Sequence, residues 1–153
     1  MVLNMIDSEL SPMNVEFGNA GDVDTQGTGW FVGFSEWSKS QGSSLRYVPS
    51  DALATGLCVK WFAHDVGDPQ GAPKPLSIGR TMSILVGQMG EFKLEFSRSV
   101  AFPPSDTLTH VLRRPGDFVV WGEGLFHRAF GLHPSCILTI RWTGDALAMP
   151  ATV

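Results

Sequence analysis

Glycine and proline punctuate this chain of 153 residues so closely that no long helix fits between them. Seventeen glycines and ten prolines fall in clusters, and the stretches between clusters are short and rich in apolar residues. Such spacing suits many short strands joined by turns. In GEFKLEF (90–96), Phe92, Leu94 and Phe96 alternate with Glu91, Lys93 and Glu95, the pattern of a strand with one buried and one wet face. TLTHVLRR (107–114) alternates likewise, with Leu108, His110 and Leu112 on one face. Further strands are expected at GWFVGFSEW (29–37), SLRYV (44–48), GLCVKWFAH (56–64), RTMSILVG (80–87), DFVVW (117–121), LFHRAF (125–130) and SCILTIRW (135–142). No stretch supports an amphipathic helix longer than two turns, and strands in this number fit a sandwich or a barrel.

Hydrophobic residues make up 43% of the chain and charged residues 17%, a balance for a compact domain rather than a disordered one. The expected organisation is a flexible arm over 1–28, a β-barrel over 29–145 and a tail over 146–153. The net charge of −4 carries no basic arm, so neither nucleic acid nor an anionic membrane is an expected partner. The first residues lack a basic, then apolar, secretory pattern, and no window is apolar enough to span a membrane. A cytoplasmic protein is expected, with Cys58 and Cys136 as buried free thiols. No Gly-x-Ser-x-Gly nucleophile signature and no phosphate-cradling glycine loop is present.

One stretch carries a spacing of chemical interest. In GDFVVWGEGLFHRAFG (116–131), five residues separate Gly116 from Gly122-Glu123-Gly124, and two more precede His127. The expected form is a β-hairpin with a glycine turn, followed by a strand that aims His127 inward. This spacing resembles the second motif of the cupin superfamily, with Gly122 where a proline is usual. A looser match to the first cupin motif runs from Gly56 to Gly87, with Phe62 and His64 in the histidine positions and Arg80 in the glutamate position. The resemblance implies a single-domain, all-β, cupin-type antiparallel β-barrel (jelly roll), typically dimeric, with a pocket inside. The family's metal ligands are three histidines and a glutamate; the four positions here read Phe62, His64, Arg80 and His127. Two imidazoles make a weak divalent site, and an inward Arg80 repels the ion. No cofactor is therefore expected. The alternative is a divalent metal such as Fe, Mn, Ni or Zn at His64 and His127, with His110 as a third ligand unless it is a core histidine.

Strand parity adds a further expectation. If His64 points inward, so do Phe62 and Lys60, and Trp61 points the other way. Lys60, His64, Arg80 and His127 would then line one pocket, and its cations call for an anionic partner, either a protein carboxylate or an acidic ligand. The expected catalytic residues are His127 and His64, by imidazole acid–base chemistry. Lys60, Phe62, Arg80, His110 and Trp121 are the expected substrate-binding residues, with core packing the competing role of Trp121. Three functions follow: a non-redox lyase, isomerase or cyclase on a small acidic or polar organic molecule; a metal-dependent, dioxygenase-like enzyme; or a non-catalytic ligand-binding protein. The Pro/Gly-rich segment 65–79 is either a lid or an ordered surface loop. Phe126 and Phe130, pointing away from His127, call for an apolar cover, and a homodimer is expected.

Overall fold

The computed structural model describes residues 13–39 and 43–143. The tail expected at 146–153 lies outside the described residues, as do residues 1–12 of the expected arm. The strands are β1 (Val15–Asn19), β2 (Thr55–His64), β3 (Arg80–Leu85), β4 (Glu91–Ser97), β5 (Leu108–Leu112), β6 (Asp117–Trp121), β7 (Phe126–His133) and β8 (Ser135–Thr143). They form two antiparallel sheets, one in the order β1-β6-β3-β8-β2 and one in the order β5-β4-β7. The all-β, antiparallel architecture expected from the punctuation is what forms, as a two-sheet sandwich rather than a closed barrel among the described residues.

Period-two alternation decides what fills the sandwich. Phe92, Leu94 and Phe96 of β4 point inward against Leu85 of β3, Val119 and Trp121 of β6, and Ile137 of β8. Trp121 is 1% exposed, so the core role weighed for it is real. The opposite face of the larger sheet builds a second core from Met82, Phe118, Val120 and Trp142, capped by Leu45. Residues 29–48, expected to supply two strands, supply that cap instead. Among the described residues of this stretch no strand forms: Gly33 bridges Tyr47, and a short 3-10 turn runs over Glu36–Ser38. Guanidinium groups hold the cap in place of a strand ladder. Arg46 ion-pairs with Glu16 and donates to the Phe31 carbonyl at 2.7 Å, and Arg80 donates to the carbonyls of Leu45 (3.1 Å) and Tyr47 (2.7 Å). Residues 15–19, read as part of a flexible arm, form β1 and pair with β6 from Val15–Trp121 to Asn19–Asp117.

The glycine turn after β6 is not a hairpin. β6 pairs with β1 and β3, while β7 pairs with β4, so Gly122-Glu123-Gly124 carries the chain from one sheet to the other. Gly116 (φ +89°) and Gly124 (φ +81°) do need the left-handed backbone that glycine tolerates. The cysteines are free as expected but not buried: Cys58 is exposed and Cys136 is half-buried.

The segment 65–79 is an ordered loop, not a free lid. It runs along the open edge of β7 as an irregular extra strand. The N–H groups of Gly67, Gly71, Lys74 and Ser77 donate to the carbonyls of Gly131, Ala129, His127 and Leu125 at 2.7–2.9 Å. This covers the β7 edge, which otherwise presents unpaired backbone groups. Among the described residues β2, at the edge of the larger sheet, pairs with β8 alone, and Leu57 and Trp61 (65% exposed) stand on its outer side. The loop can lie so close to β7 because Gly131 has no side chain: a Cβ there would sit 2.4 Å from the Asp68 carbonyl oxygen and 2.6 Å from that of Asp65. Gly131→Ala is expected to cost about 1–3 kcal/mol by overpacking against backbone. Amide exchange at Gly67 and Gly71 should accelerate by more than at β4 amides. Unchanged protection at Gly67 and Gly71 would contradict this packing.

Candidate functional site

A cavity of about 550 Å³ opens between the inner face of the β2 edge and the 74–78 part of the loop. Its floor is Trp121 of β6 and His127 of β7. One wall carries Cys58 and Lys60 of β2 with Thr139 and Arg141 of β8, and Thr81 of β3 stands beside them. The other wall is Lys74 to Ile78. Parity explains the membership. Lys60 pairs with Thr139 and Cys58 with Arg141, and cross-strand partners share a face. The loop wall is fixed by Ser77, whose hydroxyl donates to the Gly122 carbonyl at 2.7 Å and accepts from the Leu125 N–H at 3.0 Å.

His127 packs at 4.8 Å from the Trp121 ring and 6.4 Å from Phe96. Its pKa is pushed down to about 4, first by burial and then by the positive charges of Lys74 and Lys60. The imidazole is therefore neutral at physiological pH. Its Nδ1 and the Nε1 of Trp121 are shut off from solvent without a hydrogen-bond partner. Both atoms lie behind the cavity surface, so a molecule in the cavity meets the two rings rather than these atoms.

The expected site residues divide. Lys60, Trp121 and His127 line the cavity together. His64 shares the inner face of β2 with Lys60, as parity requires, but lies at the strand's far end, outside the cavity lining. Its ring stacks on Phe62 (4.3 Å) and Phe92 (4.9 Å), and Nδ1 is 3.7 Å from Asp68. Burial is the largest influence lowering its pKa, with Asp68 opposing. Phe62 thus packs on His64 rather than lining the cavity. Arg80 is on the opposite face of the sheet, because its neighbour Thr81 takes the inward position, and it serves the cap over the outer core. His110 stacks on Phe17 at 4.0 Å, away from the cavity, and its pKa is lowered mainly by burial. Lys74, Ser77, Thr139 and Arg141 were not singled out from sequence. Parity along SCILTIRW puts Thr139 and Arg141 on the Ile137 face, but only the β2–β8 register shows that this face meets Lys60.

No family model and no curated protein matches the chain. Among solved structures, it is similar to Streptomyces albus 2-hydroxyethylphosphonate dioxygenase with substrate and Fe(II) bound, at 17% identity and TM-score 0.47, over 63% of this chain and 22% of that one. It is also similar to hydroxypropylphosphonic acid epoxidase from S. wedmorenis, at 10% identity and TM-score 0.40, over 56% of this chain and 41% of that one. An Fe(II) form of that epoxidase gives a TM-score of 0.41. The chain thus spans about a fifth of the dioxygenase chain and about two fifths of the epoxidase chain.

Those enzymes carry Fe(II), which runs against the expectation of no cofactor. The residues here do not fit the ion, however. Among the described residues no three His, Cys, Asp or Glu side chains group together as metal ligands. The charged neighbours of His127 in the cavity are Lys60, Lys74 and Arg141, which oppose a divalent cation. Among the described residues no helix is long and apolar enough to cross a membrane.

The depressed pKa has a defined sign. A histidine of pKa about 4 in the fold and about 6.5 when unfolded stabilises the fold fully above about pH 6.5. That stability is lost as pH falls towards about 4, because the unfolded chain takes up the proton first. The His127 ring protons, followed by NMR, should titrate with a midpoint near 4, and His127→Gln should flatten the loss of stability between about pH 6.5 and 4. A midpoint near 6.5 would contradict the burial of this ring.

Proposed function

We propose that the chain is a small-molecule enzyme of cupin-like fold whose cavity takes an acidic organic substrate and whose His127 exchanges a proton with it. The carrying observation is a neutral imidazole lining a cavity whose charged lining residues are all cations. Lys60 would hold the acidic group, and the Trp121 ring would pack against the substrate. Imidazole acts best as a base when its pKa lies near the working pH. An anion placed between Lys60 and Lys74 offsets the charges that depress His127, so substrate binding itself raises the basicity of the ring. His64 has no part in this reading, because it lies against Phe92 at the other end of β2.

A panel of small organic acids tests the proposal by thermal shift. At about a hundred times Kd, a ligand specific for the fold raises Tm by about 5 °C or more for a protein of this size. That shift should shrink sharply in Lys60→Met. Absence of any shift across the panel would overturn the reading. The Fe(II) of the structurally similar enzymes supplies a second reading, a divalent-metal enzyme, and metal content of protein purified without an affinity tag decides it. Stoichiometric iron, manganese, nickel or zinc favours that reading, and its absence favours the acid–base one.

We also propose a homodimer that covers the outer side of β2, where Leu57 and Trp61 are exposed on a strand that pairs, among the described residues, with β8 alone. Sedimentation equilibrium should give twice the mass of the chain, and Trp61→Asp should shift the protein to monomer. A wild-type monomer at micromolar concentration would contradict this.

A further inference from the structure

The eleven lysines and arginines of this chain are distributed unevenly with respect to counter-charge. Seven face a carboxylate. Lys39 meets Glu36, Arg46 meets Glu16, and Lys93 and Arg128 meet Glu95. Arg98 meets Asp106, Arg113 meets Glu91, and Arg114 meets Asp22. An eighth, Arg80, is held by backbone carbonyls. The remaining three are Lys60, Lys74 and Arg141, and all three line the same cavity, which has no Asp or Glu in its lining. In a chain of net charge −4, three cations that converge without a carboxylate among the described residues stand against the general trend.

We propose that the acidic group of the ligand is a dianionic oxyanion, a phosphate-type group or a pair of carboxylates, bracketed by Lys60, Lys74 and Arg141. The inference rests on the reading of this cavity as a ligand site, and it adds the charge of the ligand and two residues that hold it. The three cations are solvent-exposed at the mouth, so the argument is convergence of charge rather than burial. Arg141 and Lys60 are diagonal neighbours on the inner face of the β2–β8 pair, about 7 Å apart by the usual sheet spacing. Lys74 comes from the opposite wall, anchored by its N–H on the His127 carbonyl at 2.9 Å. An oxyanion between the walls meets point charges from both lysines and the planar fork of Arg141, which matches two oxygens at once. A monoanion leaves two of the three positive charges uncompensated, whereas a dianion leaves one.

Titration calorimetry of the full chain at about pH 8 and constant ionic strength compares inorganic phosphate, methylphosphonate and malonate with acetate. The dianions should bind about tenfold or more tighter than acetate, the equivalent of one further close charge pair. Arg141→Met and Lys74→Met should each weaken phosphate or malonate binding about fivefold or more, and Arg113→Met, altered on an exposed pair with Glu91, should leave it unchanged. A preference for the phosphorus oxyanions or for malonate then identifies the head group. Acetate binding as tightly as the dianions would overturn this inference while leaving the acidic-ligand reading in place. Wild-type affinity in both Arg141→Met and Lys74→Met would also overturn it. Failure of every acid to bind would overturn both.

Discussion

Strand β8 lies between β3 and β2, and its register with these two neighbours fixes which side chains enter the sandwich. With Ile137 opposite Leu85 and Phe62, Ile137 is committed to the inner core. Two steps along, Thr139 pairs with both Ser83 and Lys60, and its hydroxyl is 2.9 Å from that of Ser83. Two steps further, Arg141 reaches the open end of the cavity. A slip of one residue would exchange this set for Leu138, Ile140 and Trp142, leaving Trp142 out of the outer core and Arg141 beneath the cap. The inner core, the cavity wall and the outer core are therefore consequences of one pairing.

Much of the fold was legible because alternation is a local property. The pattern in 90–96 and 107–114 appears as β4 and β5, and the apolar runs at 117–121 and 135–142 appear as β6 and β8. What failed were positions where a tertiary partner substitutes for a ladder. Phe31, Val32, Leu45 and Val48 of GWFVGFSEW and SLRYV cover Met82, Phe118 and Val120, and guanidinium donors satisfy carbonyls that a strand neighbour would otherwise meet. The sequence VEFGN carries too weak an alternation to separate a strand from an arm, yet β6 offers it an edge.

The site was legible in part for the same reason. His127 was found through glycine spacing, and Lys60 through parity. Arg80 was misplaced because a motif position carries no information about which face its strand presents once the loop before it is lengthened. Lys74 and Ser77 belong to a loop that docks on β7 through backbone hydrogen bonds, and such bonds leave no trace in side-chain pattern. The consequence for chemistry is direct. The two histidines expected to act together are separated along β2 and β7, and the companions His127 actually has are cations and an indole.

The central claim is that the cavity over Trp121 and His127 is where a small acid binds. The indole of Trp121 reports on it most directly, because its ring lines the cavity. In ¹H–¹⁵N spectra of the protein titrated with the tightest-binding acid, the account predicts that this indole signal moves furthest of the tryptophan indoles, together with the amides of Lys74 and Ser77. An indole signal of Trp121 that stays fixed while the acid saturates the protein would contradict it.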